Sequence, residues 1–202
     1  ISETVVPLIK GIEENDVAAC VKHFVANNQE TRRLDVNVEV SDRALREIYF
    51  PGFKAAVRKA KTKTIMGAYN KFRGQYCCHN DYLLNEVLRK EWGFDGTVIS
   101  DWGGVHDTRE AAYNGLDIEM SVENNFDNYY MANPLLQAVK RGEVEETVIE
   151  QKVRNILRLM ERLNMLDGER KSGTYNTPGH RKKILEVAKE KRQPSSRGKT
   201  IK

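Results

Sequence analysis

Apolar positions along this chain change period repeatedly, and the changes mark its elements. Over residues 3–13, Val5, Val6, Leu8, Ile9 and Ile12 recur at helical spacing, and Asn15-Asp16 closes the segment in a turn. Residues 17–24 then form an apolar run ending in Lys22-His23-Phe24, the pattern of a buried strand with polar groups at its exit. Residues 27–41 are rich in Asn, Arg and acids and lack an apolar period, so a long loop is expected there, of the kind that often carries function. Ser41 is placed to cap a helix in which Leu45, Ile48, Tyr49, Phe53, Ala56, Val57 and Ala60 step by three and four. Pro51 is expected to kink it, because proline removes a main-chain donor.

The pattern then repeats. Residues 64–70 read as a strand, a loop runs through Cys78, and a helix from about Asp81 places Leu83, Leu84, Val87, Leu88 and Trp92 on one face before Gly93 stops it. Asp95-Gly96 is a turn signal, Thr97-Val98-Ile99 a β-branched run, and Ser100-Asp101-Trp102 stands at that strand's carboxyl end. A short helix through Ala111-Ala112 should end at Gly115, and residues 116–120 suggest a fourth strand. Asn133-Pro134 opens another helix in cap-then-proline order. The longest helix is predicted over 145–166, with Val148, Val153, Ile156, Leu157, Met160 and Leu163 in one stripe. Strand and helix thus alternate, which argues for an α/β fold with parallel strands covered by helices. Four strands are half of a (β/α)8 barrel, a fold that takes about 250 residues when closed. No G-x-G-x-x-G follows a strand and no G-x-x-x-x-G-K occurs, so dinucleotide and P-loop chemistry find no support.

Composition narrows the partners. The net charge is +4 over 202 residues, but residues 181–202 hold nine Lys or Arg against two Glu, which leaves residues 1–180 at −3. The basic excess belongs to the tail, and no nucleic-acid partner is expected of the rest. No apolar run approaches the roughly 20 residues of a membrane span. Cys20, Cys77 and Cys78 read as free thiols, with Cys20 expected in the core. His23, His79, His106 and His180 show no ligand spacing, so neither a metal nor another cofactor is predicted, and the last three are expected at the surface. The chain begins at Ile1, so an upstream segment is expected and no compartment is assigned.

Three strand exits carry polar groups: Lys22-His23, Tyr69-Asn70 and Asp101-Trp102. In a barrel such exits converge on one pocket. A cation, an imidazole, a phenol, a carboxylate and an indole around one cavity suit a sugar, which offers hydroxyls to bond and an apolar face to stack on. Taken by itself, Asp101 reads first as a cap for the following turn. Lys22 at a strand exit is also compatible with a barrel lyase working through a Schiff base, provided it is desolvated.

Five motifs then point in one direction. Residues 21–30 (VKHFVANNQE), 41–49 (SDRALREIY), 66–70 (MGAYN), 91–96 (EWGFDG) leading into Ser100-Asp101-Trp102, and 115–120 (GLDIEM) closely resemble glycoside hydrolase family 3, nearest its β-glucosidase and β-xylosidase branch. The likeness runs in order from about residue 18 to 189. It implies retaining hydrolysis of a β-linked glucosyl or xylosyl unit from the non-reducing end of an oligosaccharide or other β-glycoside. Asp101 matches the family's nucleophile, Lys22 and His23 match ligands of sugar hydroxyls, Tyr69 matches a residue beside the nucleophile, and Met66 and Trp102 match positions lining the pocket.

The resemblance also implies what lies elsewhere. Residues 1–166 correspond to the C-terminal half of the barrel, 167–180 to a linker, and 181–202 to a basic helix start followed by an unstructured tail from Glu190. The first barrel half and the second domain, which supplies the acid/base glutamate in this branch, are not in the chain. Asp117 and Glu119 are weak candidates for that acid. The loop Asn27-Asn28-Gln29-Glu30-Thr31-Arg32-Arg33 lacks the Asp-x-His of the family's N-acetylhexosaminidases, which argues against that activity. On this reading the isolated chain is expected to be inactive, a fragment that at most binds sugar.

Overall fold

The computed structural model describes residues 1–166, 168, 170 and 173–192, with 191 and 192 described by their backbone alone. Residues Ile1–Arg170 form one compact unit and Lys171–Lys202 a second.

The first unit opens with α1 (Ser2–Glu13) and leads into β1 (Cys20–Phe24). Helical structure follows over 42–60, where α2 (Asp42–Ala44) and α3 (Phe50–Ala55) alternate with the π-helical turns Leu45–Tyr49 and Ala56–Ala60. Ser41 caps it, its hydroxyl accepting from Ala44 N at 3.3 Å. Pro51 does not interrupt the helix. It falls in the first turn of α3, directly after a widened turn, where a missing donor is tolerated.

β3 (Thr64–Gly67) lies parallel to β1, with Cys20 opposite Thr64, and β6 (Thr97–Ile99) lies parallel to β3, with Thr64 opposite Thr97. Spatial order therefore follows chain order, β1-β3-β6, each step bridged by helix. The expected fourth strand reduces to one parallel bridge between Ile99 and Ile118. Main-chain bonds still join it to β6, Ile118 N donating to Val98 O at 3.1 Å and Ser100 N to Ile118 O at 2.9 Å, and the Ser100 hydroxyl adds one to Met120 O and one from Met120 N.

A second small sheet was not visible in the sequence. β2 (Asn37–Val38) pairs in parallel with β4 (Lys71–Phe72), which forms a hairpin with β5 (Gln75–Tyr76). Two-residue strands show no period, so the stretch 27–41 reads as loop throughout.

The core lies between the main sheet and its helices. Val21, Ile65 and Val98 share the helix-facing side with Phe24, Leu45, Phe50, Leu83, Leu84 and Trp92. Phe24, Phe50, Phe53 and Trp92 pack as an aromatic group with ring centroids 5.0–5.9 Å apart. Trp92 is thus structural, as expected. Cys20 is not in this core but exposed. Strand alternation turns it to the face opposite Val21, beside Thr64 on the outermost described strand. Cys77 and Cys78 are fully buried instead, and so is His79, expected at the surface and only 1% exposed.

The π-helical Tyr82–Glu91 connects β3 to β6 and packs beside the 42–60 helix, and after β6 the chain forms α4 (Thr108–Tyr113), α5 (Asn133–Lys140) and α6 (Glu146–Arg162). The stripe expected along α6 coincides only in part with its buried face: Leu163 is buried and Val148 packs against Leu135 and Val144. Val153 and Leu157 are exposed, while Lys152 and Asn155 are buried. Lys152 Nζ donates to the carbonyls of Ala111 and Leu116, and Asn155 Nδ2 donates to Asp117 Oδ1. Carbonyls facing α6 require donors, and that demand outweighs apolar periodicity.

Described by itself, the second unit contains α7 (Pro178–Arg192). It runs through residues 190–192, where an unstructured tail was expected, and 193–202 lie outside the described residues. Among the described residues, no helix is long and apolar enough to cross a membrane.

Candidate active site

Strand exits bring the predicted groups together because β1, β3 and β6 run parallel and end at the same edge. At the exit of β1 the Lys22–His23 and Phe24–Val25 peptides are cis. His23 projects toward the end of β6, where its Nε2 lies 3.1 Å from Asp101 Oδ2.

Asp101 is 4% exposed. Its Oδ1 accepts from Trp102 N at 2.9 Å. Oδ2 is buried, has no hydrogen bond from any described residue, and sits off the line of one to His23. A carboxylate oxygen in that state is costly unless something else fills its hydrogen-bonding capacity.

The surrounding groups shape this carboxylate's field. Burial drives the His23 imidazole below its ordinary pKa; the Asp101 charge opposes that, while Lys22 and Arg33 reinforce it. His23 therefore favours its neutral form at pH 7. Tyr69 lies close enough to Asp101 for the carboxylate to add to burial in raising the phenol, which remains protonated.

Arg33 was not foreseen. Its guanidinium lies 5.3 Å from the centre of the Tyr69 ring, and its Nη1 pairs with Glu30 at 2.8 Å. The loop 27–41 thus brings a cation over the pocket. Nothing periodic marks that arginine, and only the length of its loop hinted at a role.

The other predicted residues fall as follows. Met66 is 9% exposed on β3, paired across the sheet with Ile99. The Trp102 side chain is 56% exposed beside Asp101. Lys22 is exposed rather than desolvated, so the condition a Schiff-base lysine needs is not met. Asp117 is committed elsewhere, to Arg89 Nη2 at 2.6 Å, Val98 N at 2.7 Å and Asn155 Nδ2 at 2.8 Å. Glu119 accepts from the main chain of Tyr130 and Met131, and burial raises its pKa.

Beneath the Asp101 turn sits Cys78, fully buried, its thiol donating to Ala68 O at 3.3 Å. Burial raises this thiol strongly, and that of Cys77 to about 12, so both are inert packing groups. Two glycines let the backbone close on it. A Cβ at Gly104 would come 2.7 Å from Cys78 Sγ, and one at Gly67 would come 2.8 Å from Cys78 Cα.

Two cavities lie away from this centre. One of about 510 Å³ is lined by Arg89, Asp117, Lys152 and Asn155, and one of about 810 Å³ by Asp107, Tyr130 and Arg141. Their polar walls are already paired with one another or open to solvent, whereas Asp101 is buried with a bare oxygen. We therefore place the candidate site at Asp101.

Residues 1–159 match the family model described as the glycosyl hydrolase family 3 N terminal domain. The chain is 45% identical over 198 residues to beta-glucosidase BoGH3A of Bacteroides ovatus, covering 94% of this chain and 26% of that protein. It is 40% identical to thermostable beta-glucosidase B of Acetivibrio thermocellus, covering 94% of this chain and 24% of that protein. Among solved structures it superposes on DesR, a beta-glucosidase from Streptomyces venezuelae in complex with D-glucose, with a TM-score of 0.84 at 36% identity, covering 94% of this chain and 25% of that one. The chain thus spans about a quarter of the length of the relatives it matches.

Proposed function

The chain belongs to glycosyl hydrolase family 3, and from that premise we propose that it is the nucleophile-bearing part of a retaining β-glycosidase with Asp101 as the attacking carboxylate. The substrate class is a non-reducing terminal β-D-glucosyl unit, with β-D-xylosyl as the related alternative. Asp101 attacks the anomeric carbon and forms a glycosyl-aspartate ester as the aglycone leaves; water then hydrolyses the ester with net retention.

The observation that carries this reading is the bare, buried Oδ2 of Asp101 facing His23 at 3.1 Å. A nucleophile needs an oxygen not already saturated by donors. Lys22, His23 and Arg33 are assigned to sugar hydroxyls, Tyr69 to the flank of the nucleophile, and Met66 and Trp102 to the pocket wall.

Leaving-group departure needs a second carboxyl, about 5–5.5 Å from the first in a retaining enzyme. Asp117 and Glu119 are each held by other partners, so the acid is assigned to a part of the protein outside this chain. The parallel, chain-ordered β1-β3-β6, each step bridged by helix, fits residues 1–166 as the C-terminal half of a (β/α)8 barrel. Residues 167–180 are proposed as a linker toward a second domain. An isolated polypeptide of residues 1–202 is proposed to be inactive for want of that acid.

The test is covalent. The full-length protein, treated with a 2-deoxy-2-fluoro-β-D-glucoside and digested, should yield a peptide labelled on Asp101. Label on any other residue overturns the assignment.

A further inference from the structure

We propose that His79, backed by Glu110, is a positioning residue that fixes the turn carrying Asp101; the inference rests on Asp101 being the nucleophile. The turn runs from Asp101 to Asp107, where α4 begins. It is held locally by Gly104 N on Asp101 O at 3.0 Å, and from the neighbouring segment by Met120 O, which accepts from Gly103 N at 2.9 Å. Its third anchor is a side chain. His106 N donates to His79 Nε2 at 3.2 Å, from a residue 27 positions away and almost wholly buried.

That bond specifies one state of the imidazole. Nε2 must offer a lone pair to a main-chain N–H, so the ring proton stands on Nδ1, and Nδ1 lies 2.6 Å from Glu110 Oε2. Glu110 therefore selects the tautomer that can hold His106, as an orienting carboxylate does for a histidine elsewhere. The sequence of α4's first turn makes this use of Glu110 informative. Asp107 caps the helix through Glu110 N at 2.8 Å, and Asp-x-x-Glu is the spacing at which the glutamate would reach back to the cap's own N–H. Here the side chain is turned onto His79 instead.

Two further contacts brace the same corner. The His106 ring stacks on Tyr76 with centroids 3.7 Å apart, and Asn114 Nδ2 donates to His79 O at 2.9 Å. His79 thus ties both ends of α4 and the turn that precedes it to the short helical turn Cys77–His79 under the site. Without it the His106 N–H loses its acceptor and the turn loses a hydrogen-bonding side-chain anchor from below.

The experiment compares inactivation of the full-length protein and its variants by 2,4-dinitrophenyl 2-deoxy-2-fluoro-β-D-glucoside, separating the first-order rate from the binding constant. His79→Leu fills the space but supplies no acceptor; it should slow inactivation about 10-fold while leaving the binding constant within about two-fold, because misplacing a reacting group costs rate more than binding. His79→Gln keeps an acceptor toward His106 and should restore most of the rate. Glu110 is 41% exposed at its side chain, so Glu110→Ala should fold even if His79→Leu does not, and it should slow inactivation about three-fold.

Label on Asp101 at an unchanged rate in Glu110→Ala, and in His79→Leu where it folds, overturns the inference and leaves the nucleophile standing. So does a loss confined to the binding constant. Label on another residue in the unaltered protein overturns both.

Discussion

Asp101 uses its two oxygens differently, one anchored by the Trp102 main chain and the other left bare toward His23. Asp101→Asn keeps the size and removes the charge, so it should lower kcat on an aryl β-glucoside by about 10³-fold or more in the full-length protein without altering its circular dichroism. The histidines make a separate prediction. Burial lowers His23, His79 and His106 below the ordinary imidazole value, against the opposing pull of Asp101 on His23 and of Glu110 on His79. Depressed folded values mean that the contribution to stability is present above about pH 6.5 and is lost as pH falls through the folded values. The melting temperature should therefore drop on acidification below about 6.5, and His79→Gln should remove part of that drop. At this scale the sequence was informative where chemistry sits at a strand exit, as with His23 and Asp101. It was silent on Arg33, which arrives on an aperiodic loop. It misplaced Cys20 and His79, because residue type ranks burial only on average and the topology put an imidazole inside and a thiol outside.

Elements were legible wherever their apolar period was long, as in α1, α3 and the segment Tyr82–Glu91, and much less so where two residues make a strand. β2 and β4 carry no pattern, and α6 shows that a correct helix can be oriented only in part, since its most buried positions, Lys152 and Asn155, lie off the apolar stripe that Val148 and Leu163 follow inward. The close approach of three segments around Cys78 is likewise invisible to periodicity. It yields a sharp test. Gly104→Ala would push a methyl against Cys78 Sγ at 2.7 Å and should cost about 1–3 kcal/mol by denaturant unfolding. Combining it with Cys78→Ala removes the obstruction, so the pair should be less destabilised than the two single costs added together.

Across the whole first unit, Asp117 is the polar centre that links β6, the segment Tyr82–Glu91 and α6 through Val98 N, Arg89 and Asn155. Because its side chain is 2% exposed, Asp117→Ala should leave the Arg89 cation without its partner and cost about 3–5 kcal/mol, read from the denaturant midpoint, with Asp117→Asn costing less. The same wholeness bears on activity. If residues 1–202 alone hydrolysed aryl β-glucosides at the rate of the full-length protein, the assignment of the acid to another part of the molecule would fall.

The exposed sulfur of Cys20 has a use that stems from its placement. With Cys77 and Cys78 sealed inside, a maleimide dye added to the native chain should attach at one position only, slowly at neutral pH because partial desolvation raises that thiol. Since Cys20 stands on the outermost described strand, the speed of that attachment becomes a gauge of cover: slow but measurable if β1 is the rim of the sheet, arrested once neighbouring chain closes over it.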